Sequence, residues 1–347
     1  MEALLRREDV RVSENALLAR ARGHLLRRGA VLAAFMLLVA LLCASPTWAK
    51  TFTVTNLNDS GTGSLRAAIN DAEARAGKDE IVFADGLSGT ITLGSELPTI
   101  TDRAGLVIDG GGGVTVSGNN AVQVLEVAPK AKLDLRSLTV SDGSNIVGGA
   151  IFNAGTLKVT NSTFSGNRAT TGGAIENAGT LEVTNSTFFG NTATSGGALL
   201  NGESSSMTLG NTIVANSTFG GNCSFEFGNP ITDGGYNIDD DGTCGFTQAT
   251  GSLPDTNPLL DPAGLADNGG PTLTIALQPE SPAVDLVGQE ACPPPKTDQR
   301  GVERPQGEAC DSGSFELVQE EAQGPQSKVE AKTADTRSSA SRTRGSA

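Results

Sequence analysis

Between Gly148 and Asn222 the chain repeats one pattern of apolar and polar positions at a spacing of 24 residues. "GGAIFNAGTLKVTNSTFSGN" runs from Gly148 to Asn167, "GGAIENAGTLEVTNSTFFGN" from Gly172 to Asn191, and "GGALLN" reopens the pattern at Gly196. Within the unit, "TLKVT" and "TLEVT" alternate apolar with polar residues and Gly or Asn closes each run, which predicts short strands joined by tight turns. Nothing in it has helical period. Self-similarity at a fixed spacing marks an architecture whose units bury their apolar faces against their neighbours. Several short strands per unit, with no room for a helix, predict an all-β fold, a right-handed parallel β-helix whose coils stack ~4.8 Å apart.

Stacking converts equal places in the repeat into columns. Ile151, Ile175 and Leu199 form one interior column; Leu133, Leu157 and Leu181 a second; Leu135, Val159 and Val183 a third; Val140, Phe164 and Phe188 a fourth. The outward column Asp134, Lys158, Glu182 alternates in sign, as neighbouring strands favour. Asn also recurs, with Asn153, Asn177 and Asn201 in one column and Asn161 and Asn185 in another, followed by Asn211 after a two-residue insertion. Amides stacked at the strand spacing donate to one neighbour and accept from the other, so both columns are expected to be structural ladders. "NST" at Asn161, Asn185 and Asn216 also matches a glycosylation sequon, but an amide buried in a ladder is closed to a glycan.

The flanks divide the chain. Residues 1–49 have an Arg-rich lead, the apolar run Ala30–Cys43 and "SPTWA" ending at Ala49, the pattern of a cleaved secretory signal peptide, with a retained anchor as the alternative. In residues 50–80, Ser64 caps an expected short helix whose Leu65, Ala68, Ile69 and Ala72 share one face and cover the first coil. Coils are expected over 81–222, an irregular C-terminal cap over 223–317, and a disordered tail over 318–347, rich in Ser, Ala and charge.

Composition narrows the chemistry. The full chain carries a net charge of −14. Removal of the leader takes seven Arg and four acids and leaves about −17, a balance that repels nucleic acid and anionic surfaces. The only His (His24) and only Trp (Trp48) lie in the leader, and Tyr236 is the sole tyrosine. A mature chain without His has no Ser-His-Asp triad, Cys-His dyad or His-containing zinc site. Four cysteines remain after the leader: Cys223, Cys244, Cys292 and Cys310. Export makes two disulfides the expectation, and of the three connectivities closeness in sequence favours Cys223 with Cys244 and Cys292 with Cys310.

The repeated "GGAI" or "GGAL" followed by Phe-x-x-Asn (Phe164 to Asn167, Phe188 to Asn191, Phe219 to Asn222) resembles the polymorphic outer-membrane protein repeat. That resemblance implies a β-helix displayed on the cell surface, often adhesive, although the family's membrane barrel has no counterpart here. "GSLRAAI" at Gly63–Ile69 resembles the CSLREA-type N-terminal region of bacterial surface proteins. "YNIDDDGTCGF", "LADNGGPTLTIALQPESPAVD" and "TDQRGVERPQGEACDSGSFE" resemble the choice-of-anchor Q family of exported proteins. This last implies a disulfide-tied β-helix terminus, with Ile275 where a His is common.

Parallel β-helices also host polysaccharide lyases and hydrolases, so a carbohydrate-active enzyme is the competing reading. A lyase needs acids clustered on adjacent coils for Ca²⁺ and a basic residue beside them. Over the regular coils the outward acids are sparse (Glu176, Glu182, Glu203) and Arg168 has Thr192 above it. Asp239, Asp240 and Asp241, before Gly242, are the candidate Ca²⁺ ligands, set against the simpler reading of a solvated turn beside Cys244. "IDGGGG" at Ile108–Gly113 is followed by a strand rather than a helix, so it reads as a turn and not a phosphate loop. The sequence therefore predicts an exported, non-catalytic module with no resident cofactor, no transmembrane segment in the mature chain, and an extracellular glycan or protein as its partner. A structural envelope spacer is the third reading.

Overall fold

Period-two alternation places Leu157 and Val159 on one face of Thr156–Thr160 and Lys158 on the other, and the neighbouring strands repeat it in register. Leu157 pairs with Leu133 and Leu181, Val159 with Leu135 and Val183, Phe164 with Val140 and Phe188, and Ile175 with Ile151 and Leu199. All four expected columns are present and buried. The structure is a computed structural model and describes residues 49–111 and 113–318; the expected leader, apart from Ala49, and the tail beyond Val318 lie outside the described residues.

The strands close into a parallel β-solenoid of about 7 turns. The first sheet has eight parallel strands, from Thr51–Val54 to Thr232–Asp233. The second also has eight, from Gly89–Thr92 to Leu253–Pro254, and the third has five, from Leu125–Val127 to Cys223–Phe225. A regular coil visits the third, first and second sheets in turn, as in Ile151–Asn153, Thr156–Thr160 and Thr163–Ser165. Asn161, Asn185 and Asn211 make the corner between the first and second sheets with φ of 47°, 51° and 50°, a left-handed conformation that Asn tolerates better than most residues. Inside, the Phe164 and Phe188 rings stack with centroids 4.9 Å apart, which continues the apolar core along the axis.

Helix α1, Leu65–Glu73, starts where expected. The Ser64 hydroxyl accepts from the Ala67 amide at 3.2 Å, and Leu65, Ala68, Ile69 and Ala72 are buried in the core beside the first two strands.

The C-terminal segment departs from expectation. Residues 223–255 add four last short strands to the stack, and Phe246 enters the main core with the Cys223–Cys244 bridge. Residues 256–318 do not continue along the axis. They fold back as a strap across the outward face of the second sheet, where Thr139, Thr163 and Thr187 form a column of hydroxyls. Thr139 Oγ1 donates to Leu273 O at 2.7 Å and accepts from Gln299 Nε2 at 2.7 Å. Thr163 Oγ1 bonds Gln299 Oε1 at 2.6 Å and Ser314 Oγ at 2.9 Å, and Thr187 Oγ1 accepts from the Ser314 amide at 3.0 Å. Next in this column come Ile213 and Ile238, which pack with Leu260, Ile275, Leu277 and Phe315 of the strap. Ile275 thus serves as an apolar anchor. The column changes from hydroxyl to aliphatic, and the strap matches it on both halves.

Candidate functional site

Of the residues singled out in the sequence, the cysteines pair as favoured. Cys223 bonds Cys244 and Cys292 bonds Cys310, with Cα–Cα separations of 4.8 and 5.8 Å. The first Asn column is a true ladder: Asn153 Nδ2 donates to Asn177 Oδ1 at 2.7 Å and Asn177 Nδ2 to Asn201 Oδ1 at 2.9 Å. The second column is incomplete. Asn211 donates to Asn185 at 3.2 Å, but Asn161 turns its amide to Thr297 O of the strap at 2.7 Å. Asn161 Oδ1 and Asn185 Nδ2 then have no partner among the described residues, because the left-handed corner constrains where those side chains reach.

A third ladder went unread in the sequence although its motif was noted. Asn167 Nδ2 donates to Asn191 Oδ1 and to Val140 O, at 3.0 and 3.1 Å, and Asn167 Oδ1 accepts from the Gly143 amide at 2.8 Å. The Asn of Phe-x-x-Asn is therefore a buried rung. Its third copy diverges, since Val214 and not Phe219 lies in register with Phe188, and Phe219 is 70% exposed.

Asp239, Asp240 and Asp241 gather around Asn222, the Asn of that third copy. Asn222 Nδ2 donates to Asp239 Oδ1 at 2.7 Å and to Asp240 Oδ1 at 2.6 Å, while the Asn222 amide donates to Asp241 Oδ2 at 2.8 Å. Asp239 also accepts from the Cys244 amide at 2.8 Å and is buried, so it does not sit in a solvated turn. Burial pushes it up to about 6, against the hydrogen bonds from Asn222 and Cys244. Asp241 lies below the usual carboxylate range: burial opposes this, and bonds from the Thr243 hydroxyl and amide outweigh it. The three carboxylates converge on the donors of Asn222, and no group of three acidic, Cys or His residues fit to hold a metal occurs among the described residues.

The feature best suited to a ligand lies where the strap meets the first sheet. A cleft of 450 Å³ is lined on the sheet side by Asp109, Arg136, Lys158, Thr160 and Asn161, and on the strap side by Pro294, Pro295 and Thr297. A second, of 300 Å³, is lined by Glu182, Thr184, Thr208 and Tyr236 opposite Ala291 and Pro293. The two share the proline wall, and Lys158 of the first bonds Glu182 of the second at 2.8 Å. Arg136 is held by Asp134 through Nε at 2.9 Å and through Nη2. That bond, with Asp109 and Glu80 nearby, raises its already basic guanidinium further against the opposing effect of burial. Thr160 is only 6% exposed, and its Oγ1 has no partner among the described residues.

The column Arg136, Thr160, Thr184 was readable from the 24-residue spacing. Asp109 lies outside that spacing, and the wall is aperiodic, so the cleft itself had no sequence signal. No family model matches the chain, and a search of curated proteins finds none similar to it. No helix among the described residues is long and apolar enough to cross a membrane.

Proposed function

We propose that the chain is an exported, non-catalytic β-helix module that binds a glycan or protein ligand at the cell surface or outside the cell, in the manner of the adhesive repeat proteins its motifs resemble. The observation that carries this reading is the cleft, in which charged groups are committed to one another. Arg136 holds Asp134 and Lys158 holds Glu182. Asp109 and Glu182 lie on strands three coils apart, ~14 Å at the strand spacing. The two carboxylates of a glycosidase stand closer, at most about 9.5 Å apart. Two disulfides suit an oxidising compartment.

The test is incubation of purified protein with pectins, alginates, glycosaminoglycans and xylans, with and without Ca²⁺. Retention on a polysaccharide or on cells without new reducing or unsaturated ends is expected. Turnover abolished by substituting one exposed carboxylate or Arg136 would replace this reading with the enzymatic one.

A further inference from the structure

We propose that Asp79 is the receptor for the chain's own processed terminus: a cut after Ala49 frees an α-ammonium on Lys50, which closes an ion pair with the buried Asp79 carboxylate and completes the first coil. The inference deepens the reading of the protein as an exported module and rests on it.

The first ground is the place of Asp79 in the fold. The interior column of Leu133, Leu157 and Leu181 extends in register to Met207 on one side and to Leu106 on the other, and the residue paired with Leu106 is Asp79. Those five are apolar and buried, and Asp79, at 1% exposure, is buried with them. A carboxylate in such a column is costly unless a cation and hydrogen bonds compensate it. Its Oδ1 accepts one bond, from the Lys50 amide at 2.8 Å, and its Oδ2 has no partner among the described residues. No Lys or Arg among them pairs with Asp79. The Lys50 Nζ instead lies over the Phe52 ring, 4.4 Å from its centroid. Glu80, next on the strand, takes the other face, where it accepts from the Thr51 hydroxyl at 3.5 Å.

The second ground comes from the sequence. "SPTWA" ends at Ala49, where the pattern of the leader sets the cut, and Lys50 is the residue whose nitrogen already faces Asp79. Inside a longer chain that nitrogen is an amide with one N–H. After the cut it is an ammonium with three, and it carries a full charge. The charge of a carboxylate is shared by both oxygens, so a cation 2.8 Å from Oδ1 compensates Oδ2 as well. Lys50 is also held from its other side, since its carbonyl accepts from the Glu80 amide at 2.9 Å, next to the pairing of Thr51 with Glu80. Register makes the site selective. A cut one residue earlier moves the charge ~3.4 Å along the strand, and a cut one residue later removes the nitrogen that Asp79 holds.

The test is expression of the full 347-residue chain in an exporting bacterium, with N-terminal sequencing of the recovered protein and pulsed acylation of its α-amine from pH 6 to pH 10. The exported chain should begin at residue 50. In Lys50→Arg the α-amine is the only amine of that residue, so mass spectrometry of the N-terminal peptide reads its free-base fraction. An ion pair favours the charged form, so the midpoint of acylation should lie about one pH unit higher in the folded protein than in urea, and the rate at pH 7 should be about tenfold lower. Adding Asp79→Asn, which keeps the shape, should return the midpoint to its value in urea; the comparison of folded with unfolded Lys50→Arg stands by itself if that variant does not fold. Slower acylation at every pH with an unmoved midpoint would be burial without the pair and would overturn the proposal. So would an exported chain that begins at another residue or keeps residues 1–49, and each of these leaves the exported module standing. A full chain that stays in the cytoplasm would defeat both.

Discussion

A Cβ at Gly173 would stand 1.9 Å from the Gly197 carbonyl oxygen, and one at Gly149 2.3 Å from that of Gly173. The second glycine of each "GG" is where one coil presses on the next, while the first, with φ of 60° at Gly172, makes the turn. Gly173→Ala should therefore cost more than about 3 kcal/mol, since backbone must move on both coils. Gly190→Ala, with φ of +65° and no atom within 4 Å of the added carbon, should cost only about 1 kcal/mol for the left-handed backbone. Chemical denaturation of the two variants compares them directly. The amides sort by the same logic. Asn177 bonds Asn153, Asn201 and Ser206 O at 2.7, 2.9 and 2.9 Å, whereas Asn185 receives only Asn211 at 3.2 Å through its side chain. Asn177→Ala should lose ~2 to 3 kcal/mol and Asn185→Ala about half as much; the reverse order in urea unfolding would mean the ladders were misassigned.

The strap is an element with a charged interior. Arg300 bonds Asp298 at 2.9 Å and lies over the Phe315 ring, 3.6 Å from its centroid; Arg304 bonds Glu316 at 2.9 Å and the carbonyls of Asp311 and Gly313. This network accounts for the segments "TDQR" and "DSGSFE", whose polar residues fold inward. Burial, with Glu316 adding to it, pushes Asp311 up to about 7 from 3.8. The folded state therefore holds a proton that the unfolded chain releases between those values. That contribution is complete below about pH 4 and is lost as pH rises through 7, amounting to about 4 kcal/mol at most. Urea midpoints at pH 5 and pH 8 should show the parent losing more stability on the alkaline side than Asp311→Asn, which carries no titratable carboxyl there. Cys310→Ser opens a loop of 18 residues and should cost ~3 kcal/mol. It should also loosen the wall at Pro293–Pro295, which proteolysis of residues 288–297 would report.

At the scale of the molecule, the stack was legible and the strap was not. Leu157, Val159 and Phe164 announce their columns because a coil of constant length returns each residue to its place, and Ser64 with Leu65, Ala68, Ile69 and Ala72 carries an ordinary helical signature. On the first sheet the strands leading up to Lys132–Arg136 repeat at 27 residues, from Glu80 to Val107 and Val107 to Asp134, without the glycine motif, and those before Lys132 were visible only as generic strands. The strap follows no period: it is held by single contacts such as Thr163 with Gln299, 136 residues away, which no local pattern encodes. The cleft needs both parts, so its lining on the sheet was half readable and its wall unreadable.

The placement of the strap on the second sheet is the claim on which the cleft depends. Thr187 Oγ1 and Ser314 Oγ lie 3.0 Å apart across 127 residues, so Thr187→Cys with Ser314→Cys places two thiols within bonding reach. Under mild oxidation this pair should close to a disulfide in nearly every molecule, mapped as one crosslinked peptide, while Lys158→Cys with Ser314→Cys, on a different face, should not. Free thiols at 187 and 314 in a protein whose two native disulfides remain intact would contradict the account, placing the C-terminal segment off the second sheet and removing the wall of the cleft.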